Sequence, residues 1–178
     1  MVFPLRAALA LVAAIIPFPA AAFNFAPTEP TPAPALSFED ATGNPLALED
    51  FRGQVVVLNL WATWCAPCRH EMPSLDRLQA EHGGADLHVV ALSLDRGELA
   101  QIEAFYEEVG IEHLAIYRDP KGAVGRALGA LGLPTTVVID QAGREVGRLL
   151  GPAEWDSEEA VALLRSLIEP DSAAAATD

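Results

Sequence analysis

The run Val55-Val56-Val57-Leu58-Asn59-Leu60 is followed, four residues later, by Cys65-Ala66-Pro67-Cys68, where a helical pattern begins. A β-branched apolar run of this length suits a strand covered on both faces, which makes it the central strand of a sheet. The helical stretch runs from about Ala66 to Glu81, is interrupted at Pro73 and closes at Gly83-Gly84. Leu87 to Leu94 then reads as a second buried strand, so the chain alternates strand, helix and strand. Such alternation implies an α/β fold, a sheet with helices on both faces.

The same rhythm continues. Leu99, Ile102, Tyr106 and Val109 fall at helical spacing and stop at Gly110, which predicts an amphipathic helix over Glu98 to Val109. A strand at Leu114 to Tyr117 and a short helix from Lys121 to Leu128 follow. Thr136 to Ile139, the turn Asp140-Gln141-Ala142-Gly143 and Glu145 to Leu150 form a hairpin. Trp155 to Ile168 closes the domain as a helix, capped by Asp156 or Ser157 with Glu158 and Glu159 in its positive first turn. At the front, Leu36 to Glu39 and Pro45 to Leu48 form a short hairpin around Thr42-Gly43-Asn44. No internal repeat is present.

The N-terminus has the order of a signal peptide. Arg6 precedes an apolar stretch from Ala7 to Ile16, and Ala20-Ala21-Ala22 supplies small residues for cleavage after Ala22. Residues 1–22 are thus a signal peptide or, uncleaved, an N-terminal anchor, and no nearby cysteine offers a lipidation site. Residues 23–35 read as a tether, because Pro27, Pro30, Pro32 and Pro34 favour an extended polyproline-like spacer and oppose helix or sheet. Residues 36–169 form the domain, and residues 170–178 a frayed tail.

Charge narrows the partners. Eleven Lys+Arg against 25 Asp+Glu give a net charge of -14, so no basic patch exists to neutralise a phosphate backbone and nucleic-acid binding is not expected. The acidic surface suits partners that are neutral or basic. The 2 cysteines allow one internal disulfide, too few for a stapled scaffold, so a chemical role is the better reading.

Cys65 stands where a helix begins, and unpaired backbone amides and the helix dipole there favour a thiolate, with Cys68 one turn inside. Pro67 fits the first turn because its missing N–H has no partner to lose. Three plainer readings compete. A purely structural disulfide across so small a loop constrains the unfolded chain little. A zinc site wants four ligands and only His70 is near. Covalent haem attachment needs histidine directly after the second cysteine, but Arg69 is there. His70, His82, His88 and His113 show no metal spacing, and Gly125, Gly129 and Gly132 follow no strand in the manner of a phosphate loop.

The stretch Asn59-Leu60-Trp61-Ala62-Thr63-Trp64-Cys65-Ala66-Pro67-Cys68-Arg69-His70-Glu71-Met72-Pro73 resembles the active site of the thioredoxin superfamily, in its TlpA/ResA/CcmG branch of extracytoplasmic thiol-disulfide reductases. Leu133-Pro134-Thr135-Thr136 is similar to the family's cis-proline loop, and the segment from Ser93 to Leu128 resembles the branch's insertion. The resemblance implies a thioredoxin-like fold, a central mixed β-sheet flanked by helices with an N-terminal hairpin and an inserted strand and helix segment. It implies Cys65 as nucleophile, Cys68 as resolving thiol, a redox-active disulfide between them, and Pro134 as the cis-proline that receives the substrate strand, with Leu133 and Trp64 beside it.

Thioredoxin has a buried aspartate on the central strand where this chain has Asn59, so Glu71 is the candidate proton relay. It lies one turn beyond Cys68 on the same helix face; the plainer reading is a solvated charge. Arg69 either favours the thiolate or is simply solvated. Trp61 and Trp64 are expected to shape the rim of the site and Trp155 to be core.

The family implies a periplasmic reductant that needs no cofactor or metal, because the disulfide carries the electrons. It implies recharging by a membrane thiol transporter of the CcdA or DsbD type. The implied clients are paired cysteines of apocytochrome c, or of oxidase copper sites and their chaperones. An oxidising foldase uses the same residues in the opposite direction, since direction depends on reduction potential. A copper-binding chaperone is the other alternative, although related carriers space their cysteines by three residues and add a remote histidine.

Overall fold

A computed structural model describes residues 23–168, so the expected signal peptide or anchor and the expected tail lie outside the described residues. Strand β4 (Val55–Trp61) is buried along its whole length, as its apolar run requires. It pairs in parallel with β5 (Leu87–Ser93) on one side and antiparallel with β7 (Thr135–Ile139) on the other. Around this centre lie β1 (Ala26–Pro32), β2 (Ser37–Asp40), β3 (Pro45–Ala47), β6 (Tyr117–Arg118) and β8 (Arg144–Leu150). The sheet has 8 strands in the order β1-β8-β7-β4-β5-β6-β2-β3.

Successive side chains of a strand point to opposite faces, and β4 uses this to divide the core in two. Val55, Val57 and Trp61 join Met72, Leu75 and Leu78 of α1 (Ala66–His82), Ile102 and Phe105 of α2 (Leu99–Val109) and Leu164 of α4 (Glu158–Ile168). On the other face Val56, Leu58 and Leu60 meet Phe38 of β2 and Val124 of α3 (Ala123–Ala127). Each fully buried side chain of this size contributes about 1.5–3 kcal/mol. Asn59 occupies the alternation position that faces α1, which sets it among apolar neighbours and opposite Glu71.

The segment expected to be a free tether is instead sheet. Its Ala26 and Pro27 pair with Arg148 and Gly147, and Thr31 and Pro32 pair with Glu145 and Arg144, with an irregular register between. Prolines are admissible here because β1 is an edge strand, whose outward N–H groups have no partner to lose. Phe23 anchors the segment further, edge-on to Trp155 with ring centroids 5.3 Å apart.

Three boundaries also differ from expectation. Helix α1 runs unbroken through Pro73; one missing backbone hydrogen bond is outweighed by the burial of Met72, Leu75 and Leu78. The strand expected at Leu114 to Tyr117 is confined to Tyr117–Arg118, because Asp76 Oδ1 accepts the backbone N–H groups of Glu112, His113 and Leu114 and holds them in a loop. Helix α4 starts at Glu158 and not at Trp155: Ser157 Oγ accepts from Ala160 N at 3.3 Å, while Asp156 is drawn to Arg77.

Candidate active site

The chain leaves β4 and enters α1 within a few residues, and both ends of that link are clamped. Thr63 donates through its backbone N–H and its hydroxyl to the two oxygens of Asp95, 2.9 Å each. Asp95 is buried and also accepts from Ser93 Oγ at 2.8 Å, which ties the loop to the end of β5. Two residues on, Cys65 caps α1, its sulfur accepting the Cys68 backbone N–H at 3.3 Å. Cys65 and Cys68 are joined as a disulfide. Cys65 is 6% exposed and Cys68 0%, so the sulfur at the helix tip is the one a partner can reach.

Glu71 is completely buried, one turn below Cys68. Its Oε1 accepts from Asn59 Nδ2 at 2.7 Å, and its Oε2 accepts from Ala153 N at 3.1 Å and Trp155 Nε1 at 3.4 Å. Burial pushes its proton affinity up, to a pKa of about 7, against the opposing pull of those donors. The solvated-charge reading of Glu71 is therefore excluded. Asn59 Nδ2 also reaches Thr136 Oγ1 at 2.9 Å, so β4, β7, α1 and the loop before α4 meet at one carboxyl.

The Leu133–Pro134 peptide bond is cis. The Pro134 carbonyl accepts from Gly151 N at 2.9 Å, and Thr135 Oγ1 donates to Gly132 O at 2.7 Å. Leu133 packs against the core cluster that holds both cysteines, and with Trp64 it lines a cleft of about 990 Å³. Trp64 is 72% exposed.

Trp61, expected at the rim, is fully buried instead, because strand alternation turns it toward Phe105 and Tyr106 of α2. Arg69 has other partners than a thiolate. Its guanidinium binds Glu108 at 2.7 Å and lies 4.6 Å from the centroid of Phe105. Trp155 is core, as expected, but its indole N–H also serves Glu71. Sequence reasoning missed the roles of Asn59, Ala153 and Asp95; a lone amide in the run Val55 to Leu60 was the available signal for the first, and a backbone N–H leaves none.

A cysteine pair at the tip of a helix that follows a central strand, next to a cis-proline loop, defines a thioredoxin-like thiol-disulfide oxidoreductase. The chain belongs to the Redoxin family, whose model matches residues 28–164. It is 30% identical over 119 residues to the thiol-disulfide oxidoreductase ResA of Bacillus thuringiensis, covering 67% of this chain and 68% of that protein. It is 32% identical over 126 residues to the thiol:disulfide interchange protein HelX of Rhodobacter capsulatus, covering 70% and 69%. A structure from Chlorobium tepidum, assigned as a thiol:disulfide interchange protein DsbE, superposes with a TM-score of 0.70 at 30% identity, over 80% of this chain and 99% of that one. Among the described residues no helix is long and apolar enough to cross a membrane.

Proposed function

We propose that the protein is a periplasmic reductant of client cysteine pairs, with Cys65 as nucleophile, Cys68 as resolving thiol and Glu71 as proton relay. The observation that carries this reading is the buried Glu71 carboxyl, poised near neutral pH on the helix that bears both cysteines. The Cys65 thiolate attacks one sulfur of a client disulfide; the S–S bond breaks, and the other client sulfur leaves as a thiolate and takes up a proton. Cys68 then gives its proton toward Glu71 and attacks Cys65 Sγ, which releases the second client thiol and leaves the Cys65–Cys68 disulfide. Two electrons pass from the protein to the client, with one proton supplied by Cys68 by way of Glu71 and the other taken from solvent, to which Cys65 had already released its own. A membrane thiol transporter of the CcdA or DsbD type returns them. Pro134, with Leu133 and Trp64 beside it, receives the client strand.

The clients are cysteine pairs that must be dithiol before loading: haem-binding cysteines of apocytochrome c, or copper-binding cysteines of oxidase subunits and their chaperones. The test is a trap. With Cys68→Ser, Cys65 still attacks but nothing resolves the mixed disulfide, so the adduct accumulates and names the client. Apocytochrome c, or oxidase copper proteins, would support the reading. A broad set of secreted proteins with structural disulfides would replace it with an oxidising foldase, and no Cys65-dependent adduct would remove it.

A further inference from the structure

The large hydrophobic side chains exposed among the described residues are Trp64, Leu131 and Leu150. Trp64 and Leu131, the latter 93% exposed, line the cleft beside the cysteines. Leu150 pairs across the sheet with Thr135, and its Cδ1 lies 3.6 Å from where a Cβ on Gly132 would stand. Exposed apolar groups along a cleft that includes the residue next to Cys65 mark a surface that another chain covers.

The cleft also carries charge. Arg96 and Arg126 line it. Arg52, Arg69, Arg77, Arg144 and Arg148 each have a carboxylate partner, whereas Arg96 and Arg126, like Arg118 and Arg165, have none among the described residues. Arg126 Nη1 rests on the Lys121 carbonyl at 2.7 Å, which leaves its charge uncompensated. The one carboxylate lining the cleft, Asp95, has its oxygens taken up by Thr63 and Ser93. Two arginines against one aspartate leave the cleft lining with a positive balance in a chain of net charge -14. Gly125, Gly129 and Gly132 also line the cleft and have no side chains to hold a visiting backbone away.

We propose that this cleft takes an extended client segment that carries apolar residues and carboxylates near its cysteine, the apolar part on Trp64 and Leu131 and the carboxylates on Arg96 and Arg126. The inference rests on the proposed function for what arrives, and it refines the expectation from net charge: the molecule as a whole disfavours acidic partners, but the cleft selects for acid. At physiological ionic strength the Debye length is about 8 Å, so a carboxylate in contact with the two arginines is governed by them and not by the distant negative surface.

The test uses the full chain and two matched peptides that differ only in carrying Glu or Lys beyond the cysteine position. Versions with Ser in place of Cys are titrated calorimetrically against the oxidised protein, so charge preference is read without any exchange chemistry. Disulfide-bridged versions, alongside hydroxyethyl disulfide, are then reduced by the dithiol protein. The Glu peptide should bind about five- to tenfold tighter than the Lys peptide at 0.15 M salt, the ratio falling toward one at 1 M. Arg96→Glu with Arg126→Glu should invert it. Equal binding, preference for Lys, or a Glu preference that survives the double reversal overturns the cleft assignment. Correct binding preference with no reduction of any disulfide would leave the cleft standing and sink the reductase reading instead.

Discussion

Asn59 donates to Glu71 across 2.7 Å in a region closed to water, so the middle of the central strand is coupled directly to the helix that carries the cysteines. Every partner of the Glu71 carboxylate in this arrangement is a donor, which suits the ionised form. The protonated form needs an acceptor. Asn59 Oδ1 is an acceptor buried without a donor of its own, and rotation of that amide would turn it toward a Glu71 O–H. Glu71 can thus hold a proton or release it without leaving its pocket.

Exchange kinetics should report that proton. A profile of client reduction against pH should bend near pH 7 in the wild-type protein, where Glu71 changes state. In Glu71→Gln the rate should drop by about tenfold or more and the bend should vanish, since an amide preserves packing but carries no transferable proton. Profiles that superpose would return Glu71 to a purely structural role.

Stability should change with pH in a direction that the raised pKa dictates. The native carboxyl titrates at about 7 and the unfolded one at 4.5, so between these values the native state binds a proton that the unfolded state does not. The stabilisation of the protonated form is complete below about pH 4.5 and is lost as pH rises through about 7. Compared with Glu71→Gln, whose offset is constant, the wild type should lose about 3 kcal/mol across that window, measured by urea unfolding at fixed salt.

The two cysteines should differ in reactivity. In the reduced protein, iodoacetamide should modify Cys65 well before Cys68, because Cys65 sits at the helix tip facing out and Cys68 is wholly enclosed. Peptide mapping after brief labelling reads the order; faster labelling of Cys68 would contradict the assigned roles.

The two tryptophans flanking the link should separate packing from recognition. Trp61→Ala should cost about 3–5 kcal/mol, since it empties a site between β4 and α2. Trp64→Ala should move stability by no more than about 0.5 kcal/mol while raising KM for a protein disulfide, because that ring is largely in solvent. Thermal melts and client kinetics on the same pair of variants check both.

The docking of β1 should depend on Gly147. A Cβ there would stand 2.8 Å from the Ala26 carbonyl oxygen and 2.6 Å from Phe25 Cζ, so Gly147→Ala should push the edge strand away. Amide exchange should then speed up in residues 26–32 with little change in β4, and unchanged protection would mean that the strand adjusts around the methyl group.

The order of elements, the central strand, the cysteine pair at a helix tip and the place of Glu71 on that helix were legible in the chain, because strand and helix periodicities and the cysteine spacing are local properties. Pro73 and the prolines of 26–32 were read as breaks for the same reason: a local rule counts the hydrogen bond a proline cannot make, but not the packing of Met72 and Leu75 or the free edge of β8. The burial of Trp61, the surroundings of Glu71 and the uncompensated charges of Arg96 and Arg126 were decided only in three dimensions. The residues that meet around Glu71, Asn59, Ala153 and Trp155 directly and Thr136 through Asn59, lie up to 84 positions from it along the chain. A carboxyl's proton affinity depends on the water excluded and the donors supplied by such distant segments, and those exist only once the sheet has closed around it.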